Sequence, residues 1–200
     1  VGDWKDNKFS GLGTLTKKNG NKYIGQFRDG YKNGKGSYTF KSGNIYIGEY
    51  KDDLRHGSGE YIYTSGEIYD GAWKDGKRDG FGTQTKPNGM KYIGNWVDGE
   101  MHGRGQLTRP DGSVYKGTFK NDYKSGLGKL VFFGGVYEGE FENDTAHGQG
   151  TYTYPDGTVY KGTMKDGYHN GLGELTQASG DKYIGEFEIG QITGMGKTVF

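Results

Sequence analysis

The histidines are the first residues to consider for catalysis or metal binding, and the chain has four of them, His56, His102, His147 and His169. The first two are separated by two units of the sequence repeat described below, which places them about 19 Å apart in a stack of strands. At that distance they neither share a metal ion nor form a catalytic triad. Cysteine is absent, so thiolate nucleophiles and disulfides are excluded. The sequence therefore predicts no catalytic residue, no metal site and no cofactor, and we expect a protein that is not an enzyme.

Glycine-rich segments that look like phosphate-binding loops also occur, but their surroundings do not suit nucleotide binding. The segment 30–35 reads GYKNGK and is one residue shorter than a P-loop. Phosphate-binding loops of this kind require the N-terminus of a helix after the glycines, whereas every Gly-x-Gly here enters a predicted strand. The chain has 26 basic and 25 acidic residues, a net charge of +1, which disfavours nucleic acid as a partner.

A repeat of 23 residues organises the whole sequence. Its first position is a tyrosine that recurs at intervals of 23, with one interval of 22: Tyr23, Tyr46, Tyr69, Tyr92, Tyr115, Tyr137, Tyr160 and Tyr183. The repeats are 1–22, 23–45, 46–68, 69–91, 92–114, 115–136, 137–159, 160–182 and 183–200. Glycine occupies positions 3, 12 and 14 of all nine repeats. The first repeat lacks position 1 and the last ends at position 18, so we expect a single array over 1–200 that is a fragment of a longer one.

The pattern within each repeat predicts two short strands. Positions 1, 3 and 5 read aromatic, glycine, aromatic, and positions 12, 14 and 16 read glycine, glycine, mostly large apolar. Alternation with period two is typical of strands with one buried face, and three glycines per repeat disfavour a helix. We expect a polar loop at positions 7–11, a turn at positions 19–22, and glycines that let aromatic rings lie flat on bare backbone. The predicted fold class is all-β: an elongated, single-layer, twisted antiparallel meander of about nine stacked β-hairpins.

This repeat resembles a known family. Segments such as YIGEYKDDLRHGSGEYIY at 46–63 carry the pattern Tyr-x-Gly-x-aromatic followed by Gly-x-Gly-x-large, which is similar to the MORN (membrane occupation and recognition nexus) repeat. The resemblance covers all 200 residues. It implies a grooved antiparallel sheet and a scaffold at the boundary of membrane and cytoskeleton, as in the MORN-only cytoskeletal scaffold proteins of protists. It also implies two alternatives: a phosphoinositide-binding membrane module, or the targeting segment of a larger lipid kinase or methyltransferase.

Three sets of residues are candidates for function or assembly. The aromatic residues expected to pack the repeats and form the floor of a groove are the eight tyrosines at position 1, together with Trp73 and Trp96. Basic residues at positions 9, 10 and 13, expected near one edge of the ribbon and available to anionic lipid, are Lys32, Lys35, Arg55, Lys77, Arg78 and Lys124. Residues expected at a dimer edge are Phe187, Met195, Val199 and Phe200.

The preferred interpretation is a non-enzymatic cytoplasmic scaffold that forms a homodimer and binds cytoskeletal or membrane-associated proteins. An unpaired edge after the last predicted strand favours association. Residues 1–114 carry 18 basic and 14 acidic side chains, whereas 115–200 carry 8 and 11, which favours antiparallel pairing of two chains. Phosphoinositide as a ligand is the alternative, although membrane adhesion usually requires a tighter cluster of Lys and Arg.

Overall fold

Two compact units make up the protein. The computed structural model describes residues 1–200, apart from the side chain of Met195. Contacts divide the chain into a first unit, residues 1–100, and a second unit, residues 101–200. Throughout the described residues the backbone forms strands and turns, without a helix.

Within each unit the strands follow one another as an antiparallel meander. The strands of the first unit are β1 (Gly2–Lys5), β2 (Lys8–Thr16), β3 (Lys22–Arg28), β4 (Tyr31–Thr39), β5 (Ile45–Lys51), β6 (Leu54–Ile62), β7 (Ile68–Lys74), β8 (Lys77–Thr85) and β9 (Lys91–Val97). The second unit begins within β10 (Glu100–Thr108) and continues with β11 (Val114–Lys120), β12 (Tyr123–Phe132), β13 (Gly135–Glu142), β14 (Thr145–Thr153), β15 (Val159–Lys165), β16 (Tyr168–Thr176), β17 (Lys182–Glu188) and β18 (Gln191–Val199). The predicted all-β meander of hairpins is confirmed.

The turn inside each hairpin is shorter than the sequence suggested. Strands β3 and β4 are joined by Asp29 and Gly30 alone, with φ angles of 52° and 89°. Positive φ at both residues is typical of a type I′ turn, whose twist matches that of the flanking strands. The prediction of a loop over positions 7–11 is therefore wrong for positions 9–11, because the second strand begins at position 9. Asp-Gly and Asn-Asp pairs close the hairpin without further residues, since these types tolerate the left-handed region.

Within each unit, cross-strand register brings the regularly spaced aromatic residues onto one side of the sheet. Tyr23 pairs with Tyr38, and Phe27 pairs with Lys32, with a bulge between Gly25 and Phe27. Residues directly opposite each other share a face, so positions 1, 5, 10 and 16 point to the same side. We call this side the aromatic face and the other side the back face.

The core is the row of position-1 tyrosines on the aromatic face. Tyr46 is fully buried, and its ring meets Tyr50 and Trp73 edge-on at centroid distances of 5.2 and 5.3 Å. The same ring lies against the backbone of Gly48 and Gly59, where a β-carbon would not fit. Edge-to-face pairs add about 0.5–1.5 kcal/mol each to the burial of their area. The expected role of the glycines, to make room for flat rings, is confirmed at positions 3 and 14. At position 12 it is wrong, because a β-carbon on Gly57 would meet the side chain of Glu49, and this glycine instead provides a positive φ of 65°.

Candidate functional site

The aromatic residues predicted to line a groove form the buried layer of the aromatic face. Those that are at most 4% exposed are Tyr23, Tyr46, Tyr69, Tyr92, Tyr115, Tyr137, Tyr160, Trp73 and Trp96, while Tyr183 is half-buried. Except for the hydroxyl of Tyr183, their polar atoms are used internally: the Tyr137 hydroxyl donates to the Glu140 carbonyl at 3.0 Å, and the Trp73 indole N–H donates to the Gly59 carbonyl at 2.8 Å. These side chains shape the face and hold the repeats together.

A second layer of side chains, at repeat position 10, covers these rings. In three consecutive repeats of the first unit, position 10 is Lys32, Arg55 and Arg78. The Lys32 ammonium lies 4.8 Å from the ring centroid of Tyr50, and the Arg55 guanidinium lies 4.2 Å from that of Trp73. Arg78 covers the rings of its own repeat and the next in the same way. The structure thus places these cations on the aromatic face, because position 10 is the second residue of its strand, directly after the hairpin turn.

Polar contacts to the next repeat hold the cations in place. The Arg55 Nη2 donates to the Gly76 carbonyl at 2.6 Å, and the Lys32 Nζ donates to the Asp53 carbonyl at 2.9 Å. Burial lowers the pKa of Lys32, and it also lowers the pKa of Lys124, the position-10 cation in the second unit. Each cation is therefore part of the packing between repeats.

The two other basic candidates lie elsewhere. Lys35 is exposed on the back face, because position 13 alternates with the inward glycine at position 14. Lys77 is exposed beside a turn and forms an ion pair with Asp98 at 3.0 Å. In the first unit, the residues predicted to contact anionic lipid therefore do not form one cluster, and lipid contact stays a prediction.

In the second unit, the position-10 residue changes in size from repeat to repeat: Lys124, Ala146 and His169. His169 stacks on Tyr160 with ring centroids 3.5 Å apart, and its Nε2 lies 3.2 Å from the Tyr154 hydroxyl. Burial lowers the pKa of His169 below its usual value, which favours the uncharged ring at neutral pH. Ala146 has no long side chain to cover the rings, and a cleft of about 400 Å³ opens there.

Aromatic rings form the walls of this cleft, which we call the Ala146 cleft. They belong to Phe132, Tyr137, Phe141, Tyr152 and Tyr154. The cleft is also lined by Asp144 and His169. A second cleft of about 440 Å³ on the same face is lined by Tyr154, His169, Asp156 and Phe187 among others. Sequence reasoning missed both clefts, and the signal that would have found the first is the one small residue in a column of long ones.

The residues predicted at a dimer edge differ in exposure. Phe187 is only 3% exposed and packs against Tyr160 and Tyr183 at 5.1 and 5.5 Å, so the structure places it in the aromatic core rather than at the surface. Val199 and Phe200 are exposed. The side chain of Met195 lies outside the described part of the chain.

Among the described residues, no group of three or more His, Cys, Asp or Glu side chains is placed to hold a metal ion. No helix within the described part of the chain has the length and apolar character needed to cross a membrane.

TCP10 domains are among the solved structures that are similar to this chain. The wild-type TCP10 domain of Danio rerio CPAP has a TM-score of 0.48 at 14% identity, covering 86% of this chain and 81% of that one. The same domain in complex with a peptide of Danio rerio STIL has a TM-score of 0.43 at 16% identity, covering 94% of this chain and 91% of that one. The TCP10c domain of Drosophila melanogaster Sas-4 has a TM-score of 0.39 at 13% identity, covering 94% of this chain and 97% of that one. Among curated proteins, no match is found.

The repeat boundaries identify the family. The model of the MORN repeat matches residues 1–22, 23–45, 46–68, 69–91, 92–114, 115–135, 137–159, 160–182 and 183–200. These matches agree with the predicted repeats, except that the sixth ends one residue earlier. The MORN repeat is a non-enzymatic module, and nine of them indicate a repeat-based interaction or scaffold protein. The chain therefore belongs to the MORN repeat family.

Proposed function

We propose that this protein is a non-enzymatic scaffold that binds partner polypeptides on the aromatic face of its second unit. The observation that supports this most directly is the pair of clefts there, of about 400 and 440 Å³, which share Tyr154 and His169 as lining residues. Volumes of several hundred Å³ with apolar walls and a few polar groups are typical of binding sites. A polypeptide segment lying along this face would place successive side chains in the two clefts.

The charges around the clefts favour a polypeptide over a lipid headgroup. Asp144 lines the first cleft and Asp156 lines the second, and neither lining includes a lysine or arginine. Carboxylates repel the phosphates of a phosphoinositide. The cations of the aromatic face in the first unit are occupied by rings and carbonyls, as with Arg55 and Gly76. Phosphoinositide binding is therefore the less favoured function.

Self-association and a place at the boundary of membrane and cytoskeleton belong to the same proposal. Support for pairing comes from the exposed apolar side chains of Val199 and Phe200 and from the opposite net charges of residues 1–114 and 115–200. Sedimentation velocity at low and high salt tests it. We expect a dimer that dissociates as salt rises, and a monomer at every salt concentration would contradict pairing.

Site-specific photo-crosslinking tests the main proposal. A photo-reactive phenylalanine derivative at Phe132, in the wall of the Ala146 cleft, is expected to crosslink discrete polypeptides in an extract of the native cell. The matched control carries the same group at Leu127, which is 71% exposed on the back face. Co-sedimentation with vesicles, with and without phosphoinositide, is measured in parallel. If the protein sediments with vesicles only when phosphoinositide is present, and no crosslinks form at position 132, the proposal is wrong and phosphoinositide binding is the function.

A further inference from the structure

The position-10 cations define a slot of fixed composition on the aromatic face. Arg55 shows its contacts most fully: the guanidinium lies 5.8 Å from the Tyr46 ring, 5.2 Å from Tyr61 and 4.2 Å from Trp73. Its Nη2 donates to the Gly76 carbonyl at 2.6 Å. The slot thus consists of the rings at positions 1 and 16 of one repeat, the side chain at position 5 of the next repeat, and the carbonyl at position 8 of the next repeat.

The same slot exists at Ala146 without its cation. Counting by repeat position, the counterparts of the Arg55 contacts are Tyr137, Tyr152, Met164 and Gly167, and all four line the Ala146 cleft. The register is also the same, because Ala146 pairs with Phe141 as Arg55 pairs with Tyr50. The cleft therefore has the surroundings of the Arg55 side chain, but the residue at position 10 is an alanine, whose methyl group leaves the slot open.

Charge around the cleft suits a cation. Asp144 provides the carboxylate among the lining residues, and the lining includes no Lys or Arg. Lys124 occupies the preceding slot, 5.5 Å from the Phe141 ring, and its backbone N–H donates to Asp144 at 2.8 Å. A second cation beside Lys124 is compatible with this packing, since Lys32, Arg55 and Arg78 fill three consecutive slots in the first unit.

We propose that the Ala146 cleft binds an arginine side chain of a partner polypeptide. The guanidinium lies on the rings of Tyr137 and Tyr152, donates to the Gly167 carbonyl, and has the Asp144 carboxylate as its counter-charge. Arginine suits this slot because its guanidinium is planar, weakly hydrated and stacks on aromatic rings. This inference rests on the proposed function and specifies the partner chemistry that the aromatic face selects.

The direct test uses a short peptide with one arginine and the ε-methyl NMR signal of Met164, a lining residue. The probe is acetyl-Gly-Ser-Arg-Ser-Gly-amide, and the matched control replaces arginine with citrulline, which has nearly the same shape without the charge. We expect a saturable shift of the Met164 signal, with at least a tenfold weaker response to the citrulline peptide. Equal responses to the two peptides would overturn the proposal.

Three substitutions separate the slot from general charge effects. Ala146→Arg supplies the missing side chain from within, so we expect loss of peptide binding and a melting temperature about 2–4 °C higher. Gln149→Arg adds the same charge at exposed position 13 on the back face and should leave peptide binding unchanged. Ala146→Lys, which copies the side chain of Lys32 and Lys124, repeats the test with a smaller head group. If both variants at 146 melt below the unmodified protein, or if both still bind the peptide, the slot assignment is wrong.

The crosslinks from position 132 distinguish this inference from the function on which it rests. Crosslinks that persist in the Ala146→Arg variant, with no preference for the arginine peptide, would leave the polypeptide scaffold intact and remove the arginine slot. Absence of crosslinks in the unmodified protein would remove the scaffold function itself.

Discussion

The ring of Tyr46 lies in the space that a β-carbon on Gly59 would occupy. Its hydroxyl extends past the glycine backbone and donates to the Glu49 carbonyl at 3.0 Å, next to a bulge between Gly48 and Glu49. Tyr137 and Gly150 have the same relationship in the second unit. A tyrosine packed on a bare backbone is thus the element of packing that each repeat after the first contributes.

Alanine at Gly59 should displace this ring. At an unhindered strand position, glycine to alanine raises stability by about 0.4–1 kcal/mol. Here we expect a loss of about 1–3 kcal/mol, because the methyl group collides with the buried ring of Tyr46. Urea unfolding measures the change. Gly59 lacks the positive φ that strains Gly89→Ala, where nothing lies within 4 Å, so a loss at Gly59 reports the collision with the ring. A Gly59→Ala variant as stable as the unmodified protein would contradict the packing argument.

Truncation of Trp73 should cost more, because this side chain joins neighbouring repeats. Trp73 is 4% exposed, meets Tyr46 and Tyr69 edge-on, and donates to the Gly59 carbonyl. We expect Trp73→Ala to lower the free energy of unfolding by about 3–5 kcal/mol. Thermal unfolding followed by circular dichroism tests this. Trp4→Ala serves as the control, since Trp4 is 61% exposed, and similar losses for the two variants would be the unexpected result.

The position-10 cations are expected to stabilise the fold. Arg55→Met keeps much of the apolar stem but removes the guanidinium and its hydrogen bond to Gly76, so we expect a loss of about 1.5–3 kcal/mol. Lys77→Met removes an exposed ion pair with Asp98 and should cost at most about 1 kcal/mol. Urea midpoints of the two variants decide between a structural and a solvated role for Arg55. If both midpoints fall equally, the contacts of Arg55 with the aromatic rings stabilise the fold no more than the exposed ion pair of Lys77 does.

Alkaline pH should unfold the protein within a defined window. Burial is the main cause that raises the pKa of Tyr23, Tyr69, Tyr115 and Tyr137 to about 12, compared with about 10 in an unfolded chain. A folded-state pKa above the unfolded one gives stability that is complete below pH 10 and is lost as pH rises toward 12. We therefore expect the urea midpoint to fall between pH 10 and 12, with tyrosinate absorbance rising as the protein unfolds. Full ionisation near pH 10 while the fold persists would contradict this.

Much of the fold was predictable from the sequence, because each repeat contains the residues that specify its own strands, turn and buried face. Gly59 and its equivalents mark the positions where only a bare backbone fits, Asp29-Gly30 marks a turn, and alternation marks the buried face. These are local signals, and nine repetitions make them consistent. The extent of the loop at positions 7–11 was wrong, since turn composition alone does not tell where the second strand begins.

By itself, the sequence determined the repeat, the strands and the buried row of tyrosines, because these depend on spacing within 23 residues. Only the tertiary structure decided where position 10 points, since that follows from the two-residue turn and the cross-strand register of Phe27 with Lys32. It also decided that Ala146 opens a cleft. The sequence shows Ala146 as the one small residue at position 10. That a long side chain at this position covers aromatic rings from two repeats is visible only in the tertiary structure.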